Sequence, residues 1–245
     1  MISAPPSLLE TQGSGLALGA LRTPAGAGAR WLSPQLLAVV LVTLPVFVQA
    51  PLVHAQPVVA TLLTAPLLAV GILLGLSPQQ QRSQLGAVLV GFAGSWLCGS
   101  LFWGWLRLHP LLHLPIEALA LPLAVAGLRS RWQLAGAFYL ASLLGTAATD
   151  AAMALAGLMP LWPAALAADP GAAMTLLQEA ALQVLKPGTM ALALAFAAGL
   201  LLLSLRLRQG SATARLAGAT LITTLGVDAV FLLLALAAPG WSGLI

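Results

Sequence analysis

His109, His113 and Glu117 follow one another at intervals of four in the stretch Trp103-Gly-Trp-Leu-Arg107-Leu-His109-Pro-Leu-Leu-His113-Leu-Pro-Ile-Glu117. Two imidazoles and a carboxylate have the donor types for zinc or iron, and a single histidine suffices for haem or chlorophyll. On an uninterrupted helix this spacing would give the three a common face. Pro110 and Pro115 interrupt any such helix. No HExxH pattern occurs, and the third histidine, His54, is remote in sequence. A metal or pigment site on His113 and His109 therefore competes with histidines paired to Glu117 or to backbone carbonyls. Arg107 reads either as a snorkelling interfacial cation or as a counter-charge for Glu117, Asp150 or an anionic ligand.

Charged residues make up only 7% of the chain, so each one placed among apolar neighbours needs a partner. Three of the six acidic residues, Glu117, Asp150 and Asp228, fall inside apolar segments. Intramembrane acids mark ion, proton or substrate pathways, or are held by interhelical hydrogen bonds; both readings stand for the two aspartates. Helical neighbours could satisfy them. Thr220, Thr224 and Asp228 form a polar stripe at four-residue spacing, and Thr146 precedes Asp150 by four. Such stripes must face other helices or a water-filled cavity.

The elements that position these groups are membrane spans. Sixty per cent of residues are hydrophobic, and several apolar runs reach 18 residues or more. The fold class is all-α, a polytopic integral membrane protein whose main partner is the lipid bilayer. Seven apolar segments lie at about 36–53, 58–76, 85–106, 111–128, 134–156, 188–205 and 216–238. A flexible tail, residues 1–33, precedes the transmembrane helical domain, 34–238, and a short outer tail, 239–245, follows it. If the first segment is a cleaved leader, as Arg30 and Val53-His54-Ala55 would allow, six spans remain.

The fourth segment, with His113, Pro115, Glu117 and Pro122, is decided by charge. If all seven cross, Arg22, Arg30, Arg82, Arg129, Arg131, Arg206, Arg208 and Arg215 share one side, leaving only Arg107 and Lys186 on the other. A dipping fourth segment destroys that asymmetry. The positive-inside rule then places the N-terminus in the cytoplasm and the C-terminus on the outer or lumenal side. Trp103, Trp105, Trp162 and Trp241 sit near the outer ends, as interfacial belt residues do. Counting ~1.5 Å per residue sets Glu117 and Asp228 roughly 18 Å from the cytoplasmic loops and Asp150 nearer 24 Å.

The long connection 157–187 contains an amphipathic helix from Gly171 to Lys186, ended by Pro187-Gly188. It is expected to lie flat on the outer interface, with a cavity cap as the alternative. Gly91, Ser95 and Gly99, like Ala141, Gly145 and Thr149, form small-residue faces that read as packing.

Other chemistries find little support. The ten basic residues are scattered, which excludes a nucleic-acid surface. One cysteine, Cys98, excludes an internal disulfide and a cysteine metal cluster. No nucleophile elbow or phosphate loop is present.

The stretches Leu-Pro-Val-Phe-Val-Gln-Ala-Pro-Leu-Val (44–53), Phe-Trp-Gly-Trp-Leu-Arg (102–107), His-Leu-Pro-Ile-Glu-Ala (113–118) and Phe-Tyr-Leu-Ala-Ser-Leu-Leu-Gly-Thr-Ala-Ala-Thr-Asp (138–150) carry a resemblance. Together they resemble an uncharacterised membrane-protein family known chiefly from cyanobacteria, over roughly residues 34–205. The resemblance implies a plasma or thylakoid membrane and a photosynthesis-linked setting, and supplies no activity. Three functions remain open. They are a carrier for a small solute or ion using Glu117, Asp150 and Asp228 with Arg107 and Thr224, a non-catalytic assembly subunit of a photosynthetic or respiratory complex, and a haem-, pigment- or metal-binding protein using His113.

Overall fold

The computed structural model describes residues 33–238. The expected tails, with Arg22, Arg30, Trp31 and Trp241, lie outside the described residues, save Ser33. Among the described residues every regular element is helical. Six helices are long and apolar enough to cross a membrane: Pro57–Gly75, Gln80–Leu106, Pro110–Gly127, Gln133–Leu155, Pro187–Arg208 and Ala212–Ala237. A bent pair, Pro34–Leu44 and Phe47–Ala55, meets at 40° and brings the number to seven when the pair is counted as one span. The chain is a polytopic helical membrane protein, and its spans fall within a few residues of the segments read from the sequence.

Prolines mark where helices begin. Pro34, Pro57, Pro170 and Pro187 each occupy the first turn, where the missing N–H costs nothing. Ser33, Asp169 and Ser211 cap their helices by accepting backbone N–H groups at 3.0–3.2 Å. Inside a span the same residue is disruptive. Pro45 cannot donate to the preceding turn, and Pro45–Gln49 widens into a π-turn between α1 (Pro34–Leu44) and α2 (Ala50–Ala55). The second span breaks at Leu63 between α3 (Pro57–Leu62) and α4 (Thr64–Gly75). Trp96 donates its indole N–H to the Ala60 carbonyl just before that break, at 2.8 Å.

The first, third, fifth and seventh spans form a ring and run in the same direction. The third is α5 (Gln80–Leu101), continued by a second π-turn at Phe102–Leu106. The fifth is α8 (Gln133–Leu155) and the seventh α12 (Ala212–Ala237). Gly91 meets Ala135 and Cys98 meets Tyr139, so both helices advance together. Gly145 meets Thr224 and Thr149 meets Asp228 in the same sense. Ala38 and Leu41 pack with Ala87, Val88, Phe92, Trp96, Leu134, Phe138 and Leu216, joining all four spans in one apolar cluster.

The even spans surround this ring. α4 folds back antiparallel on α5, and α11 (Pro187–Arg208) folds on α12, where Ser204 donates to the Gly218 carbonyl at 2.7 Å. Exposed leucines such as Leu73 and Leu202 cover their outer faces, as contact with lipid requires. The fourth span is split into a 3₁₀ turn at Pro110–Leu112, α6 (His113–Glu117) and α7 (Leu121–Gly127). α6 packs between α5 and α8.

The connection after α8 holds α9 (Leu161–Ala167) and α10 (Pro170–Val184). α10 ends two residues short of the expected Lys186, and Pro187 opens the next helix. Nor does it face its glutamines away from the protein. Gln183 donates to the Ala156 carbonyl at 2.8 Å and Gln178 to the Leu236 carbonyl at 3.4 Å, satisfying the ends of the fifth and seventh spans. Ala173 and Ala181 form its buried side.

Close backbone approach sets the packing of the ring. A Cβ on Gly91 would lie 2.4 Å from the Ala135 carbonyl oxygen, whereas one on Gly199 would meet nothing within 4 Å. Gly91→Ala is therefore expected to destabilise the protein by about 1–3 kcal/mol through overpacking. Gly199→Ala is expected to be neutral or slightly stabilising. Thermal unfolding in mild detergent reads both; equal midpoints would contradict the contact between the third and fifth spans.

Candidate functional site

Five spans turn a stripe of residues at four-residue spacing toward a common space. The stripes are Leu41, Pro45 and Gln49 on the first span; Ser95, Gly99 and Trp103 on the third; His113 and Glu117 on α6; Phe138, Ser142 and Thr146 on the fifth; Thr224 and Asp228 on the seventh. They line a partly open cavity of about 230 Å³, ample for several waters or a small solute. Phe92 and Phe138 belong both to its wall and to the apolar cluster, so the cluster plugs one end. No lysine or arginine is among its lining residues.

α6 exists because the fourth span is broken, and Tyr139 makes the break tolerable. Its hydroxyl donates to the Glu117 carbonyl and accepts the Ala120 N–H at 3.1 Å. These two backbone groups sit where helical pairing lapses between Glu117 and Leu121. Lipid offers no replacement partner for either. The bridge fixes the backbone from which the Glu117 side chain enters the cavity. Among the described residues nothing hydrogen-bonds the Glu117 carboxyl.

His113, one turn earlier, is 8% exposed. Its Nδ1 lies 2.8 Å from Asp150 Oδ2, and Asp150 is itself only 5% exposed. A carboxylate only accepts, so this contact assigns a proton to Nδ1. The other ring nitrogen has no hydrogen-bond partner among the described residues, and His113 lines the cavity. Aromatic rings pack around the imidazole: Phe102 at 4.4 Å, Trp162 at 5.4 Å and Trp103 at 6.1 Å between centroids. Trp103 and Trp162 stack on one another at 5.3 Å and 15°, and Trp162 donates to the Arg107 carbonyl at 3.0 Å.

Asp228 is held across the helix interface. Thr149 of the fifth span donates to Asp228 Oδ2 at 2.7 Å. Thr224 instead donates to the Thr220 carbonyl on its own helix at 3.1 Å.

The structure thus brings His113, Glu117, Asp228 and Thr224 to one cavity, with Asp150 directly behind His113. Arg107 and His109 stay outside. The Arg107 guanidinium donates to His54 Nδ1 at 2.9 Å, so its partner is a histidine and not one of the three acids. His109 is exposed at the break before the 3₁₀ turn, where the helix is interrupted at Pro110 as the sequence suggests, and it does not join His113 and Glu117 on the cavity. Among the described residues no group of three His, Cys, Asp or Glu side chains is placed to hold a metal ion. Trp103 lines the cavity and stacks on Trp162, whereas Trp105 is 51% exposed. The stripe of Gly91, Ser95 and Gly99 is divided, with Gly91 packed and the other two on the cavity.

Residues 38–236 match the family described as Protein of unknown function (DUF3120). The chain belongs to that family. The matched region contains the whole cavity, from Leu41 to Asp228. No curated protein and no solved structure gives a significant match.

Gln49 and Tyr139 are the site residues that sequence reasoning missed. Tyr139 is the only tyrosine of the chain, and a lone phenol in mid-span was the available signal. Tyr139→Phe keeps the ring and orphans the two backbone groups, at an expected cost of about 1–3 kcal/mol. Lower thermal stability should accompany faster hydrogen exchange at the Ala120 amide. Unchanged protection of that amide would refute the bridge.

Proposed function

We propose that this membrane protein is a carrier for a small solute or ion, with the cavity as its binding chamber and the intramembrane carboxyls as the groups that exchange protons with the cargo. One observation carries the reading: Glu117 presents a carboxyl with no hydrogen-bond partner to a cavity inside a ring of membrane spans. A purely structural acid in lipid would be tied to a donor, as Asp150 and Asp228 are. Glu117 is kept available, beside an imidazole whose outer nitrogen is also free. Protonation of either group changes the charge of the chamber, and that is the coupling a proton-driven carrier needs.

The Phe92–Phe138 cluster closes the chamber toward one end, and the stacked Trp103 and Trp162 flank it toward the other. Alternating access then requires these two apolar closures to open in turn. On the charge asymmetry of the loops the phenylalanine end faces the cytoplasm, and the tryptophans face the outside or the lumen. The resemblance noted from the sequence suggests a plasma or thylakoid membrane.

The test is proton flux in proteoliposomes carrying a trapped pH-reporting dye, with a panel of small ions and neutral solutes. Wild-type protein is expected to dissipate an imposed pH gradient in the presence of at least one of them. Glu117→Gln should reduce that rate at least tenfold, and Asp228→Asn should reduce it too, with helical content and detergent monodispersity preserved. Rates no faster than empty liposomes across the panel, or undiminished in folded Glu117→Gln, would overturn the carrier reading. Purification of the wild type as a fixed stoichiometric part of a larger complex, without flux, would favour an assembly role.

A further inference from the structure

We infer that the cavity holds a specific site for a small monovalent cation, formed over Gly99 by the side-chain oxygens of Gln49 and Glu117. The inference rests on the carrier reading and names the class of its cargo.

Gln49 is 5% exposed and ends the π-turn of the first span. One atom of its amide lies 2.7 Å from the Trp96 carbonyl oxygen and 2.8 Å from Ser100 Oγ. A backbone carbonyl only accepts, so this atom must be Nε2, and the amide orientation follows from chemistry. Both N–H donors of Gln49 are thereby spent on the third span. Its Oε1 has no partner among the described residues, and Gln49 lines the cavity. What Gln49 offers there is an acceptor alone.

Gly99 lets a second acceptor converge on the first. The point that a Cβ on Gly99 would occupy lies 3.2 Å from Gln49 Nε2, whose protons are already committed to the third span, and 3.5 Å from both Gln49 Oε1 and Glu117 Oε1. Two oxygens without donors therefore face one small volume, and one of them belongs to a carboxyl. Water in the cavity can donate to both oxygens, whereas a bound cation meets both and also balances the charge of the carboxylate.

Charge and donor type select the cation. With one carboxylate and one amide oxygen, a single positive charge is balanced and a double one is not. Any ion bound there completes its coordination with water, so the single carboxylate charge, and not the ligand count, disfavours calcium. No set of three metal-ligating side chains is present among the described residues, which disfavours zinc and iron. Anions find no lysine or arginine on the wall. An alkali ion and a protonated amine share the remaining chemistry, a monocation satisfied by oxygen acceptors.

The test uses the purified full chain in mild detergent, with chloride salts of sodium, potassium, ammonium and methylammonium, and N-methylglucamine as a cation too large for the site. Thermal unfolding is expected to shift upward, saturably, with at least one small cation relative to N-methylglucamine. A shift with sodium or potassium identifies an alkali site, and one with the ammonium salts an amine site. Gly99→Ala, which fills the space between the two oxygens, should abolish the shift. Glu117→Gln, which keeps the volume and removes the charge, gives an independent reading if the alanine variant fails to fold. No shift in the wild type, or a shift that survives in a folded variant, overturns the cation site. Solute-dependent proton flux without any cation shift would leave the carrier standing and the site refuted; a cation shift without flux would do the reverse.

Discussion

The hydroxyl of Tyr139 replaces part of a helical turn, and the site depends on that substitution. In a bilayer every backbone N–H and C=O must find a protein partner or a wet cavity. The fourth span violates helical pairing between Glu117 and Leu121, and one phenol from the fifth span takes up an orphaned carbonyl and an orphaned amide together. With the span broken there, α6 is free to tilt between the third and fifth spans. His113 and Glu117 then enter the ring instead of continuing along a straight helix facing lipid. A tyrosine suits the task because its ring packs as an apolar residue while its one oxygen both donates and accepts.

Two π-turns widen the ring at related places. Pro45 removes a donor from the first span, and the extra residue in the turn carries Gln49 inward to the third. The third span widens at Phe102–Leu106, where Trp103 reaches the cavity. Cavity volume in a helical bundle has to come from small residues or from irregular backbone, since regular helices with ordinary side chains pack to near-crystalline density. This bundle uses both: Gly99 and Ser95 on the wall, π-turns and a broken span around it.

Much of this frame is legible in the sequence, because span length, arginine asymmetry and the depth of the acids follow from residue types alone. Seven apolar segments predict seven spans, and the counted rise along them already sets Glu117, Asp150 and Asp228 at comparable depth. Partners were the hidden part. Helical spacing suggests Thr224 for Asp228 and Thr146 for Asp150, yet a threonine hydroxyl in a helix readily bonds the carbonyl one turn back, as Thr224 does. The acids are left to residues on neighbouring helices, Thr149 and His113, whose identity depends on interhelical register. Gln49 and Tyr139 stayed hidden for a related reason. They are neutral, so charge counting passes over them, and their importance comes from breaks in helices whose geometry no periodicity records.

Asp150 and His113 show how one buried pair can make the other groups available. A carboxylate as enclosed as Asp150 is strongly unfavourable alone, and its contact with Nδ1 supplies the compensating donor. With Nδ1 on Asp150, the other imidazole nitrogen is left without a hydrogen-bond partner among the described residues, on a residue that lines the cavity. The surrounding Phe102, Trp103 and Trp162 hold the ring in place by shape without offering it a competing hydrogen bond. His113 is therefore fixed in position yet open at one nitrogen, and Glu117 one turn on is fixed at its backbone yet open at its carboxyl. One carboxyl without a hydrogen-bond partner and one imidazole tied at a single nitrogen, held on the same short helix, leave the cavity with polar capacity that the protein itself does not fill.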